Sequence, residues 1–126
     1  MVEAFEFHVV GEMAGVDPAV LNDQEFVQEA VVTSVIKSGL TLFEVLTVKR
    51  EEGGVLSIAI IGESHVAVHT WPDQGKVTVT VSSCKDPEST WQVFWELREI
   101  FGARDYQAME LRSGILLTEK PIITVP

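Results

Sequence analysis

Cysteine occurs once in the 126-residue chain, at Cys84, so no internal disulfide can form and a reducing, cytoplasmic setting is expected. Basic residues are sparse: 9 Lys and Arg stand against 19 Asp and Glu, a formal net charge of −10. Nucleic acid is therefore not an expected partner, because phosphate binding needs clustered Lys and Arg. The acidity serves solubility first and, as a field, favours cationic ligands. No stretch approaches the ~20 apolar residues of a membrane span, and Met1 to Glu6 has neither the basic nor the apolar region of a signal peptide. A soluble chain with no membrane partner is the expectation. Three histidines and one cysteine lack ligand spacing, so no metal is expected. Repeats, low-complexity runs and linkers are missing too, which leaves one domain over residues 1–126. Apolar residues, in contrast, make up 46% of the chain, an excess that fits burial of surface in a dimer.

Ala4 to Val10 alternates, with Phe5, Phe7 and Val9 on one side, and reads as a strand followed by a loop from Gly11 to Pro18. A helix comes next, opened by a capping box of Asn22 and Glu25 or earlier at Asp17-Pro18. Phe26, Val27, Ala30, Val31, Thr33, Val35 and Ile36 give it a wide apolar face, and Gly39 a stop. Leu40 to Val48 and Val55 to Ile61 read as strands joined by a polar hairpin ending in Gly53-Gly54. His65 to Thr70 and Lys76 to Ser83 make a second pair. Asp86-Pro87-Glu88 starts a helix carrying Trp91, Phe94, Trp95 and Leu97 and ending near Gly102. Its two tryptophans read as core or interface. Asp105 to Val125 reads as one short strand and a tail.

The order β-α-β-β-β-β-α-β predicts an α+β fold, a two-layer antiparallel or mixed sheet with two helices on one face. Val55 to Ile61 is apolar at nearly every position, which implies burial on both sides. Two such sheets stacked face to face would provide it, giving an α-β-β-α sandwich.

The densest chemistry lies in Gly62-Glu63-Ser64-His65-Val66-Ala67-Val68-His69-Thr70-Trp71-Pro72, with Cys84 twenty residues after the serine. A planar amide resists attack by the hydroxyl that follows it. In a tight bend with an oxyanion donor, Ser64 can attack the Glu63 carbonyl and turn the amide into an ester. A base then removes the Ser64 α-proton, the ester is eliminated, and hydrolysis of the dehydroalanine leaves a pyruvoyl group at a new N-terminus. Such a carbonyl condenses with a substrate amine and withdraws the electrons released with carbon dioxide. A thiol of pKa ~8.5 suits the proton donor that quenches the product carbanion.

This stretch resembles the small prokaryotic pyruvoyl-dependent S-adenosylmethionine (AdoMet) decarboxylases. The resemblance implies self-cleavage between Glu63 and Ser64, into residues 1–63 and 64–126, and a homodimer of cleaved protomers with stacked sheets. It implies Ser64 as pyruvoyl precursor, His69 as processing base and Cys84 as proton donor, leaving His65 structural. Asp73 stands where the family has a Glu that holds substrate hydroxyls, and His8 and Glu12 match its early His-x-x-x-acid segment. Trp71 is a candidate wall of the substrate pocket. The chain departs from the family at Arg50, where a Phe stacks on adenine, at Glu52 in place of Pro, at Leu56 in place of a helper serine, and at Glu6 in place of Gly. Ser57 is one residue off, and one residue reverses the face of a strand. Arg50 at the adenine position points to a small basic amino acid, L-arginine or L-ornithine, as substrate. AdoMet, decarboxylated to supply aminopropyl groups for spermidine, is the alternative. An unprocessed regulatory or binding homologue is a second alternative. A Ser64–His69 hydrolase is disfavoured, because the G-x-S-x-G elbow is missing.

Overall fold

Alternating side chains sort most of the chain onto two faces of one sheet, of which the helices cover only one. The computed structural model describes residues 4–113. Strands β1 (Glu6–Ala14), β2 (Leu42–Lys49), β3 (Val55–Ile61), β4 (Ser64–Trp71), β5 (Lys76–Ser83) and β6 (Asp105–Ser113) form a six-stranded sheet of order β2-β3-β4-β5-β1-β6. Every pairing is antiparallel. Helices α1 (Pro18–Leu21), α2 (Gln24–Lys37) and α3 (Pro87–Phe101) pack on the sheet, α2 over β2, β3 and β4 and α3 over β5 and β1. Val9, Met13, Val55, Ala59, Val66, Val68, Val77 and Val81 meet Leu21, Val27, Val31, Val35, Phe94 and Leu97 in a dry core. Each large side chain fully removed from water contributes roughly 1.5–3 kcal/mol before entropy is counted.

Three local readings are corrected. β1 runs through Gly11 to Ala14, a stretch expected to be loop. Gly11 is there for close approach: a Cβ on it would lie 2.6 Å from the Gln107 carbonyl oxygen and 2.7 Å from Ala108 Cβ on β6. Helices start near both proposed places, but the Asn22–Glu25 capping box does not form: Asp17 caps α1, and Asp23, not Asn22, caps α2 through Phe26 N–H at 3.1 Å. Asn22 instead closes α1 and accepts from Gly54 N–H at 3.1 Å. On α2, Ile36 faces solvent and Ser34 is buried, its hydroxyl donating to the Val31 carbonyl at 2.9 Å. Gly39, with φ 74°, ends the helix as expected, letting Leu40 N–H reach the Val35 carbonyl and its own N–H reach that of Ile36. The tail expected after residue 113 lies outside the described residues.

The helix-free face carries Val10, Leu46, Val48, Ile58, Ile60 and Met109, of which Leu46 is 67% and Ile60 53% exposed. The two-sided burial expected of β3 is therefore one-sided within a single chain. Among the described residues no helix is long and apolar enough to cross a membrane.

Candidate active site

The pairing of Ile61 with Ser64 leaves Gly62-Glu63 as a two-residue hairpin loop. Such loops usually turn on a residue with positive φ. Gly62 is not one of the positive-φ glycines; instead Ser64, alone of the described non-glycine residues, has a positive φ, 156°. Side-chain-bearing residues rarely adopt that value, so conformational stress falls on the residue that begins β4. Thr41 anchors the loop from outside. Its carbonyl accepts from Gly62 N–H at 2.8 Å, and its own N–H and hydroxyl donate to the two Glu63 carboxylate oxygens at 3.0 and 3.2 Å. Cys84 follows Ser83, the β5 residue paired with Ser64, and its N–H donates to the Glu63 carbonyl at 3.0 Å. That donor sits where negative charge would develop if the carbonyl were attacked. The exposed Cys84 thiol belongs to the same corner.

The imidazole on the serine is His65, whose Nδ1 is 3.0 Å from Ser64 Oγ. His65 pairs with Ser82, and Ser82 Oγ lies 2.8 Å from His8 Nδ1, with Glu6 3.4 Å from His8 Nε2. A row of polar groups thus crosses β4, β5 and β1 beside the loop. His65, read as structural, is the histidine in contact with Ser64. Neither it nor Thr41 was marked by spacing; only the hairpin register places them.

His69 lies five residues along β4 from Ser64, about 16 Å at the usual strand rise. The two do not meet within one chain. His69 instead gathers with Arg50 and Trp71. Its ring stacks on Trp71 with centroids 4.1 Å apart, and Arg50 Nη1 donates to its Nε2 at 2.8 Å. Burial, and then the Arg50 charge, hold the imidazole below its ordinary pKa of 6.5, in the neutral form. Trp71 is itself fixed by its indole N–H, which donates to Thr78 Oγ1 at 3.1 Å. Arg50, Glu52, Trp71 and Asp73 line a cleft of about 340 Å³ at the β4 end. A groove of about 510 Å³ runs from His69 and Leu56 to Glu12 and Met109 on the helix-free face. In it Glu12 is engaged by Gln107 Nε2 at 3.1 Å and Lys76 Nζ at 3.5 Å. Leu56 pairs with His69, whereas Ser57 is buried on the helix side and bonded to Thr47 at 2.8 Å, so it does not replace the helper serine. No group of three or more His, Cys, Asp or Glu among the described residues could hold a metal ion.

The corner around Glu63–Ser64 fits the formation of a pyruvoyl group from Ser64: hydroxyl, imidazole, carbonyl donor and stressed backbone converge on one bond. Comparison with known proteins agrees. The family model described as S-adenosylmethionine decarboxylase matches residues 7–114. S-adenosylmethionine decarboxylase proenzyme of Clostridium tetani is 36% identical over 115 residues, covering 91% of this chain and 90% of that protein. The proenzyme of Pelotomaculum thermopropionicum is 37% identical over 109 residues, 86% of each chain. In fold, the crystal structure of the adenosylmethionine decarboxylase from Aquifex aeolicus superposes with a TM-score of 0.85 at 22% identity, covering 94% of this chain and 98% of that one. With sequence match, fold and cleavage corner in accord, the chain belongs to the S-adenosylmethionine decarboxylase family of pyruvoyl-dependent carboxy-lyases.

Proposed function

We propose that the chain is a proenzyme that cuts itself between Glu63 and Ser64 and then decarboxylates S-adenosylmethionine. The observation that carries this reading is the hydrogen bond from Cys84 N–H to the Glu63 carbonyl, made where Ser64 has its positive φ. The donor polarises the carbonyl that Ser64 Oγ attacks and accommodates the oxyanion. Thr41 keeps the Glu63 side chain turned away from the reacting atoms and remains on it when residue 63 becomes a chain end. His65 orients the Ser64 hydroxyl. The pyruvoyl group would supply an electron sink for the pair left on the substrate α-carbon as carbon dioxide departs. Cys84 then delivers the proton that the product needs.

Names carried by the relatives support S-adenosylmethionine over the small basic amino acid that Arg50 suggested. Arg50 does not forbid the nucleoside. A guanidinium is planar and stacks on aromatic rings, and this one already lies 5.7 Å from the Trp71 centroid. Asp73 offers acceptors for sugar hydroxyls, and Glu52 and Asp73 offset the Arg50 charge near a sulfonium. The protomers pair through the apolar helix-free face, which otherwise exposes Leu46, Ile58 and Ile60 to water. Two sheets laid together with opposed strand directions bring His69 of one copy towards Ser64 of the other, which the single chain does not do. The exposed Cys84 suits a reducing cytoplasm.

Mass spectrometry of the purified protein tests the first step. Wild type yields residues 1–63 and a blocked 64–126 chain, and Ser64→Ala stays whole at about the 13.9 kDa of the precursor. An uncut wild type would make the chain an unprocessed homologue. Carbon dioxide release from S-adenosylmethionine, L-arginine and L-ornithine then tests the substrate. Release from either amino acid with none from S-adenosylmethionine would overturn the assignment.

A further inference from the structure

Arginine has only donors, so the 2.8 Å contact from Arg50 Nη1 makes His69 Nε2 the acceptor and leaves the ring proton on Nδ1. In this arrangement the basic lone pair of His69 is already in use. The ring cannot turn away easily, because Trp71 stacks on it at 4.1 Å with 27° between the planes. Nor is Arg50 a loose surface residue. Its N–H donates to the Gly54 carbonyl at 3.0 Å and its carbonyl accepts from Gly53 N–H at 3.1 Å, which fixes its backbone in the turn between β2 and β3. The guanidinium touches a carboxylate at the same time: Nη2 lies 3.6 Å from exposed Glu52, which can keep hold of it when Nη1 leaves the ring.

We propose that Arg50 is a positioning residue for His69, occupying its basic nitrogen and fixing its tautomer until Nη1 leaves the ring and the guanidinium rests on Glu52 alone. The inference rests on the reading of His69 as the processing base. It goes beyond that reading by assigning control of the base to a residue standing where the resembled family has an aromatic ring. Other charged groups facing His69 are few. β1 contributes Glu12, across Thr78 of β5, and that carboxylate is engaged by Lys76 of β5. β3 presents Leu56, which carries no charge. Arg50 is therefore the described side chain whose removal changes the electrostatics of the ring most. Its loss frees the lone pair and removes a positive charge, and both changes make His69 the stronger base.

The contact is read first without cleavage, in a Ser64→Ala protein that stays intact. NMR of the His69 ring gives its titration midpoint and tautomer, and a thermal melt checks the fold. Adding Arg50→Gln moves the midpoint upward and removes the Nε2-acceptor signature, while Arg50→Lys, which keeps a cationic donor, retains most of both. A midpoint and tautomer unchanged in Arg50→Gln would overturn the proposal. The cleavage rate of Arg50→Gln with Ser64 present is then followed against pH. A several-fold faster plateau is expected, with the acid limb moved to higher pH alongside the midpoint. A plateau slower than wild type would overturn the role as a restraint. If the NMR changes occur while the cleavage profile does not move, the Arg50–His69 pairing stands and His69 is not the processing base.

Discussion

The backbone N–H of Cys84 donates to the Glu63 carbonyl at 3.0 Å, while the Cys84 thiol is exposed at the same corner. In the proposed reaction the two groups belong to different steps. Any residue other than proline supplies the N–H; only an acidic side chain supplies the proton. Cys84→Ala is therefore expected to cleave to completion, within a few-fold of the wild-type rate, yet to lose at least about tenfold in carbon dioxide release, roughly 1.4 kcal/mol of barrier. Without its acid, the product carbanion takes a proton slowly or at the wrong carbon, and the enzyme inactivates during turnover. Mass spectrometry follows the first quantity and product formation the second. Unchanged turnover would return Cys84 to a purely structural place. Its nomination from sequence rested on the company it keeps with Ser64, because a lone Cys ending a strand is ordinarily a small core residue. The role of its amide was illegible there, since a backbone donor leaves no mark on residue identity. His65 is hidden for a related reason: nothing in the spacing tells which of the two rings, His65 or His69, touches the serine.

At the scale of elements, periodicity located the six strands and the two long helices, because the four inner strands and both helices bury one face against a common core while the edge strands β2 and β6 lean on it through Leu42, Val45 and Ala108. The failures came where a residue had two physical uses. Gly11 was read as a turn former and is a close-packing site in β1, where a side chain would collide with β6. Asn22 and Asp23 are both cap residues, and only the path of α1 into α2 decides between them. Thr70, the first residue of Thr70-Trp71-Pro72, has a structural task of the same hidden kind. It is fully buried, its hydroxyl donates to the Leu21 carbonyl at 2.7 Å and accepts from Val55 N–H at 2.8 Å, and it thereby ties α1 to β3 and β4. Thr70→Val keeps the shape and removes both bonds. Leaving two buried backbone groups unpaired is expected to cost about 2–3 kcal/mol. Urea unfolding of the variant in a Ser64→Ala background, compared with Ser64→Ala alone, measures it without interference from cleavage. A cost below about 0.5 kcal/mol, the level of an ordinary surface change, would mean that other groups take over these bonds.

The whole molecule presents a difficulty that its parts do not. Attack on the Glu63 carbonyl and removal of the Ser64 α-proton require groups within about 3 Å of the reacting atoms, yet His69 is some 16 Å away along β4. No rotamer spans that gap, and the sheet cannot fold on itself to close it. Either His65 acts within the chain or His69 acts from a second copy. The exposed apolar face, reaching from Leu46 and Ile60 to Val10 and Met109, favours the second arrangement, because stacking two copies covers that face and joins the two ends of β4 in one step. Two inert variants decide the matter. Ser64→Ala keeps the base and lacks the nucleophile; His69→Ala keeps the nucleophile and lacks the base. Each alone is expected to remain uncut. Expressed together with distinguishable tags, they form mixed dimers in which the His69→Ala chain meets an intact His69 across the interface and is cut. The Ser64→Ala chain remains whole. Mass spectrometry of the two tagged chains reads the result directly, and size exclusion verifies that mixed dimers are present. Cleavage of His69→Ala by itself would assign the base to His65 within the chain. Verified mixed dimers with both chains intact would show that stacking the two copies does not carry His69 to Ser64.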